Sequence, residues 1–157
     1  MDMPFAPSDD GLLARALSAG EQALRRGALV RARVLLRLAL ARAEQRHDAA
    51  GALCAHQLLG HVAFQDGGLD LAAHHHQTVL ERSERLGLPL GVASASHNLG
   101  LVAAAAGDHA RGVRLIAGAI AQYEALGHGA GAAVARANLE RLAATQALHP
   151  RAGDEPR

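Results

Sequence analysis

The sequence has no tryptophan and no lysine, and it holds one tyrosine (Tyr123), two phenylalanines (Phe5, Phe64), one cysteine (Cys54) and two asparagines (Asn98, Asn138). Each scarcity excludes something. With few aromatic and β-branched residues, strands have little to build on, and Ala, Leu and Gly carry the apolar content instead. A single cysteine cannot form an internal disulfide framework and suits a reducing compartment. The absence of lysine, with all sixteen cations arginine, follows base-composition bias. Fifteen acids leave a net charge of +1, so the whole-molecule field selects neither nucleic acid nor an acidic partner. No uncharged apolar run is long enough to span a bilayer. The opening "MDMPFAPSDD" has neither the basic nor the apolar region of a secretory signal, and a cytoplasmic location is the expectation.

What is present is a repeat. Forty-residue steps link Gly20, Gly60 and Gly100, then Gly27, Gly67 and Gly107, then Ala32, Ala72 and Gly112. Leu36, His76 and Ile116 form a fourth column, and Ala39, Val79 and Ala119 a fifth. A further step places Asn138 under Asn98 and Leu139 under Leu99. Such self-similarity in a helix-forming chain is the mark of a stacked array. Each copy splits into two amphipathic segments, which predicts seven helices over 10–26, 29–46, 49–66, 70–86, 89–106, 109–126 and 130–147. Gly107 suits the left-handed residue that ends one helix, and Asp108 the cap of the next, with Asp70 as the cap in the copy before. Small residues at 20, 60, 100, 32, 72 and 112 let paired helices approach closely. The expected architecture is an all-α right-handed solenoid of antiparallel hairpins, about three and a half repeats, in which each repeat buries its faces against its neighbours. Its divisions are an N-terminal segment at 1–9, repeats at 10–48, 49–88 and 89–129, a capping half-repeat at 130–147 and a disordered tail at 148–157.

Leu59-Gly60, Gly67-Gly68, Ala72, His76 and Val79, then Leu99-Gly100, Gly107-Asp108, Gly112, Ile116 and Ala119, form a pattern that resembles the tetratricopeptide repeat (TPR). The first copy offers Gly20, Gly27, Ala32, Leu36 and Ala39. The forty-residue period is similar to the longer repeats of kinesin light chains and of bacterial regulators with helical sensor domains. The aromatic positions of the first helix in each pair hold His56, Ala63, Ser96 and Ala103, a departure from the family.

The resemblance implies that the first helix of each pair lines a concave groove that holds an extended peptide, and that Asn just before Leu-Gly clamps the ligand backbone. An amide suits this because it offers both donors and acceptors. Asn98 and Asn138 would form a short ladder, interrupted by Leu58 in the second copy; the alternative is that they bond a neighbouring helix or face water. Helical spacing places Gln57, His61 and Gln65 on one face, His97 beside Asn98, Arg141 one turn from Asn138, and Arg25 on the stripe with Glu21. Such a groove fits an acidic or C-terminal carboxylate group, and an ordinary solvated face is the competing reading for the charged members.

Other constellations carry less. Three consecutive histidines, His74 to His76, point about 100° apart on a helix and cannot converge on one ion. Residues 25–46 hold seven arginines against Glu44, yet no stacking aromatic, so nucleic-acid binding is not the expectation. A solvated helix is the simple account of that segment, and an acidic protein partner its alternative. Cys54 has no base beside it in the sequence pattern. The leading function is therefore a non-catalytic scaffold or adaptor for a protein or peptide, with no cofactor and no metal, and neither nucleic acid nor membrane as partner. The alternatives are a homo-oligomeric structural module and the small-ligand sensor domain of a regulatory system.

Overall fold

The computed structural model describes residues 9–148. Among them are seven α-helices and no strand: α1 (Asp9–Arg25), α2 (Leu29–Gln45), α3 (Ala49–Gln65), α4 (Leu69–Leu86), α5 (Pro89–Ala105), α6 (His109–Ala125) and α7 (Gly129–Leu148). These bounds fall within about two residues of the expected ones, the usual spread at helix ends. The segment before Asp9 and the tail after Leu148 lie outside the described residues. No helix among them is long and apolar enough to cross a membrane.

The forty-residue repeat rests on a twenty-residue one. Gly27, His47, Gly67, Gly87, Gly107 and Gly127 all have positive φ, so a left-handed residue closes every helix from α1 to α6. At the end of α5 the Gly107 N–H donates to Ala104 O at 3.0 Å, and the Asp108 N–H to Ala103 O at 2.9 Å. This paired bonding satisfies carbonyls that the helix end would orphan. Asp108 then accepts from the Arg111 N–H and caps α6, as Asp48 caps α3 through the Gly51 N–H. Asp70 does not play that part: α4 starts at Leu69, so Asp70 lies inside the first turn, where its charge still complements the helix dipole.

His47 is the one non-glycine among these joints, with φ of 55°. Its Cβ strains that conformation, and its role there is met by backbone bonds alone. His47→Gly is expected to raise stability by about 0.5–1 kcal/mol after the extra unfolded-state freedom of glycine is counted. Chemical denaturation of the two proteins reads this directly, and an unchanged or lower midpoint would count against it.

The chain divides after Arg82 into two compact units. In the first, α1, α2 and α3 share two clusters. Leu13 and Ala16 meet Ala39, Ala43, Ala52 and Ala55. Ala23 and Leu24 meet Ala32, Leu36, Leu59 and Val62. In the second, Ala93 of α5, Ile116, Ala119 and Tyr123 of α6, and Ala132 and Ala135 of α7 form the core.

The column of large residues plugs the column of glycines. A Cβ on Gly20 would stand 2.7 Å from the Leu36 side chain, one on Gly60 2.5 Å from the His76 ring, and one on Gly100 2.7 Å from Ile116. Leu36, His76 and Ile116 are all fully buried. A second glycine column, Gly51, Gly91 and Gly131, was not anticipated; a Cβ there would meet Asp48 and Leu13, Ser83, and His128 and Tyr123 respectively. Small against large at fixed spacing is how an aromatic-poor chain reaches interior packing density.

Candidate functional site

The first helix of each hairpin, α1, α3, α5 and α7, carries the residues singled out in the sequence. In the second unit α5 and α7 pack together and bring three of them into one network. Asn138 is 9% exposed, and its Nδ2 lies 2.8 Å from Nε2 of the buried His97. Its Oδ1 accepts from an Nη of Arg141, one turn along α7. An arginine only donates, so the asparagine oxygen must face it and the amide nitrogen must face His97. Nε2 of His97 therefore accepts, and its proton sits on Nδ1. The network uses one donor and one acceptor of the Asn138 amide and leaves one of each.

Asn98, on α5 beside His97, is 8% exposed and makes no side-chain hydrogen bond to any described residue. Its amide is not sealed from solvent: among the described residues the fully buried, unpartnered side-chain atoms belong to His76, Ser83 and His109. Arg141 is exposed at the mouth of this network, with most of its guanidinium free to meet an anion.

In the first unit the expected residues are more dispersed. Arg25 is exposed and paired with Glu21. Gln57 and His61 of α3 are half-buried, and Gln65 is exposed at the last residue of that helix. His61 stacks obliquely on His76, with ring centroids 5.4 Å apart. Leu58, in the asparagine column, packs against the apolar cluster.

The three consecutive histidines meet three environments, as the 100° step requires. His74 is exposed. His75 is half-buried, with Nδ1 3.0 Å from Nδ1 of His56, so that one ring donates and the other accepts. His76 is 1% exposed and its Nδ1 has no partner. Burial, then the neighbouring His56 and His74, hold His75 down at about 4. Burial, then His61 and His75, hold His76 down at about 3. His56 is lowered too, by burial first and then by Arg82, with Glu44 acting in the opposite direction. No group of three or more metal-ligating side chains converges among the described residues. The Cys54 thiol is pushed up by the packing around it and by Glu21, which opposes thiolate formation.

A cleft of about 350 Å³ between α2 and α4 was not foreseen. Leu59, Val62 and Ala63 of α3 form its floor, and Arg33, Arg37, His74 and His75 stand among its walls. Its members are dispersed between residues 33 and 75, and only the pairing of α2 with α4 over α3 gathers them.

The fold and these faces define a helical-repeat protein built of antiparallel hairpins. The comparisons give that class its particular form. No protein-family model matches the chain, and no curated protein sequence does. Among solved structures, the TPR domain of Arabidopsis FLU is similar, with a TM-score of 0.70 and 23% identity over 74% of this chain and 98% of that one. BtubC (BKLC) from P. vanneervenii is similar with a TM-score of 0.67 and 22% identity, over 92% of this chain and 68% of that one. The chain has the TPR-like fold.

Proposed function

We propose that this protein is a non-catalytic scaffold that binds a peptide or protein segment on the faces of its first helices, with the firmest hold on α5 and α7. The observation that carries this reading is the Asn98 amide, which makes no hydrogen bond among the described residues and lies beside the His97–Asn138–Arg141 network. A peptide C=O and N–H would pair with the amide nitrogen and oxygen of Asn98. Arg141, oriented by Asn138, would take a carboxylate of the ligand, either an acidic side chain or the C-terminus. Arg25, Gln57, His61 and Gln65 offer the corresponding polar set in the first unit.

Binding and stability should move apart when this site is altered. Asn98→Ala is expected to leave stability nearly unchanged, because the amide makes no hydrogen bond among the described residues. The same change should weaken peptide binding by roughly tenfold, the equivalent of about 1.4 kcal/mol. Arg141→Ala should abolish the preference for a free over an amidated C-terminus. An array of acidic peptides, each made with both termini, reads affinity and preference together, with denaturation as the control. Peptides bound equally by the native chain and both variants would overturn the reading.

A further inference from the structure

The outer face of α2 differs from those of α4 and α6 in a way the fold does not require. Val30, Val34 and Leu38 lie one turn apart and are 76%, 64% and 52% exposed. The same columns hold Asp70, His74 and Thr78 in α4, and Ala110, Arg114 and Gly118 in α6. None of those six is a large apolar residue, so the repeat tolerates polar or small side chains at all three positions. Single exposed aliphatics are ordinary, but three in a row along two turns make a face.

The charge around that row has one sign. Helical geometry sets Arg33 and Arg37 along one flank and Arg31 and Arg42 along the other. The columns of Arg33 and Arg37 hold Ala73 and Gln77 in α4, and Val113 and Ala117 in α6, so these cations also belong to α2 alone. Arg33 is paired with Asp66, whereas Arg31 and Arg37 have no ion pair or hydrogen bond among the described residues. The one acid on the helix, Glu44, is held by Arg82 at 2.6 Å. The first turn has no acid, and Ala28 supplies no side-chain cap. The cleft floored by Leu59 and Val62 opens on the Arg33–Arg37 flank of the row, where Leu40 also lines it.

We propose that the outer face of α2, with this cleft, docks an acidic amphipathic helix of a partner protein. Apolar side chains of that helix at i, i+4 and i+8 would lie along Val30, Val34 and Leu38, which span about 12 Å. A further apolar side chain on the flank of that helix enters the cleft over Leu59 and Val62, and its carboxylates meet Arg31 and Arg37. This surface is separate from the α5–α7 site and does not depend on it.

The probe is a labelled helical peptide of about 20 residues with leucines on one face and glutamates on its flanks. A twin carries lysine for every glutamate. The decisive variant is the triple Val30→Asp, Val34→His, Leu38→Thr, which copies the column residues that α4 already carries, so the fold should tolerate it. Anisotropy titrations should show the glutamate peptide binding the native protein and weakening with salt. The triple variant should lose roughly tenfold or more, Arg37→Ala should lose several-fold with a shallower salt dependence, and Arg141→Ala should change nothing. Equal binding by native and triple variant, or equal binding of the lysine twin, would overturn the proposal. So would a native protein that sediments as a dimer while the triple variant is monomeric, because the occupant would then be a second copy.

Discussion

Gly112→Val is expected to destabilise the second unit by more than about 3 kcal/mol, which for a small domain lowers Tm by more than about 12 °C. The reason is what a side chain there would meet. A Cβ on Gly112 would stand 2.8 Å from the carbonyl oxygen of Gly100 and 2.9 Å from the Ala104 methyl. A Cβ on Gly100 would meet the Gly112 carbonyl at 2.9 Å in return. The carbonyls are backbone atoms and the methyl cannot rotate away, so relief requires α5 and α6 to separate, which opens the core around Ile116. Gly20, the first-copy counterpart of Gly100, faces Cγ and Cδ2 of Leu36 at 2.7 Å, side-chain atoms and not backbone, and Gly20→Ala should cost less. Gly118, on the outside of α6, has nothing within 4 Å of its Cβ position, and Gly118→Ala should gain about 0.5–1 kcal/mol from helix propensity. Denaturation midpoints should therefore rank Gly118→Ala, native, Gly20→Ala and Gly112→Val from high to low. Equal midpoints for Gly112→Val and the native protein would refute the close-packing account.

That ranking shows which features the sequence makes legible. Helices and their joints follow from local chemistry: an apolar period of about 3.6, a glycine that can take positive φ, and an aspartate that can cap. Each acts within a few residues, so the pattern at 107–108 predicts a helix end without knowledge of the rest. The column of Gly20, Gly60 and Gly100 was legible because repetition at forty residues aligns each glycine with its plug, whereas that of Gly51, Gly91 and Gly131 was not singled out. His47 escaped that logic, since a histidine gives no local sign of a left-handed residue; only the twenty-residue spacing exposes it.

The site was less legible. His97 and Asn138 are forty-one residues apart, and nothing local to either says that their side chains bond. The shared column of Asn98 and Asn138 suggested equal roles, but the structure gives them different surroundings. Asn138 is engaged on both sides by His97 and Arg141, whereas Asn98 is buried without a partner. The difference arises from Arg141 on α7, whose place on α5 is taken by Leu101. Likewise the contrast between α2 and its repeat mates lies in the sequence, but its meaning depends on exposure. An aliphatic residue on a helix is core or surface according to the neighbour it meets.

Acid is expected to destabilise the first unit, and His76 is the principal cause. In the unfolded chain its imidazole titrates near 6.5, whereas in the folded protein it is held at about 3. Between those values the unfolded state binds a proton that the native state refuses, so stability is constant above about pH 6.5 and falls as pH drops below it. The limiting slope is about 1.4 kcal/mol per pH unit for one such group. His75, held at about 4, adds a second slope that ends sooner. The Nδ1···Nδ1 contact of His75 with His56 acts in the same direction, because two protonated rings would point N–H at N–H. His76→Leu removes the larger contribution. Leucine is the residue this column holds in the first copy, at Leu36, where it packs against Gly20 as His76 packs against Gly60. The variant also eliminates an unpartnered buried Nδ1, so at pH 7 it should be about 1–3 kcal/mol more stable than the native protein. The advantage should widen as pH falls from 6.5 towards 4, since the native curve descends more steeply. Urea titrations at pH 7, 6, 5 and 4.5 read both effects, and parallel curves for the two proteins would exclude His76 as the acid-sensitive group.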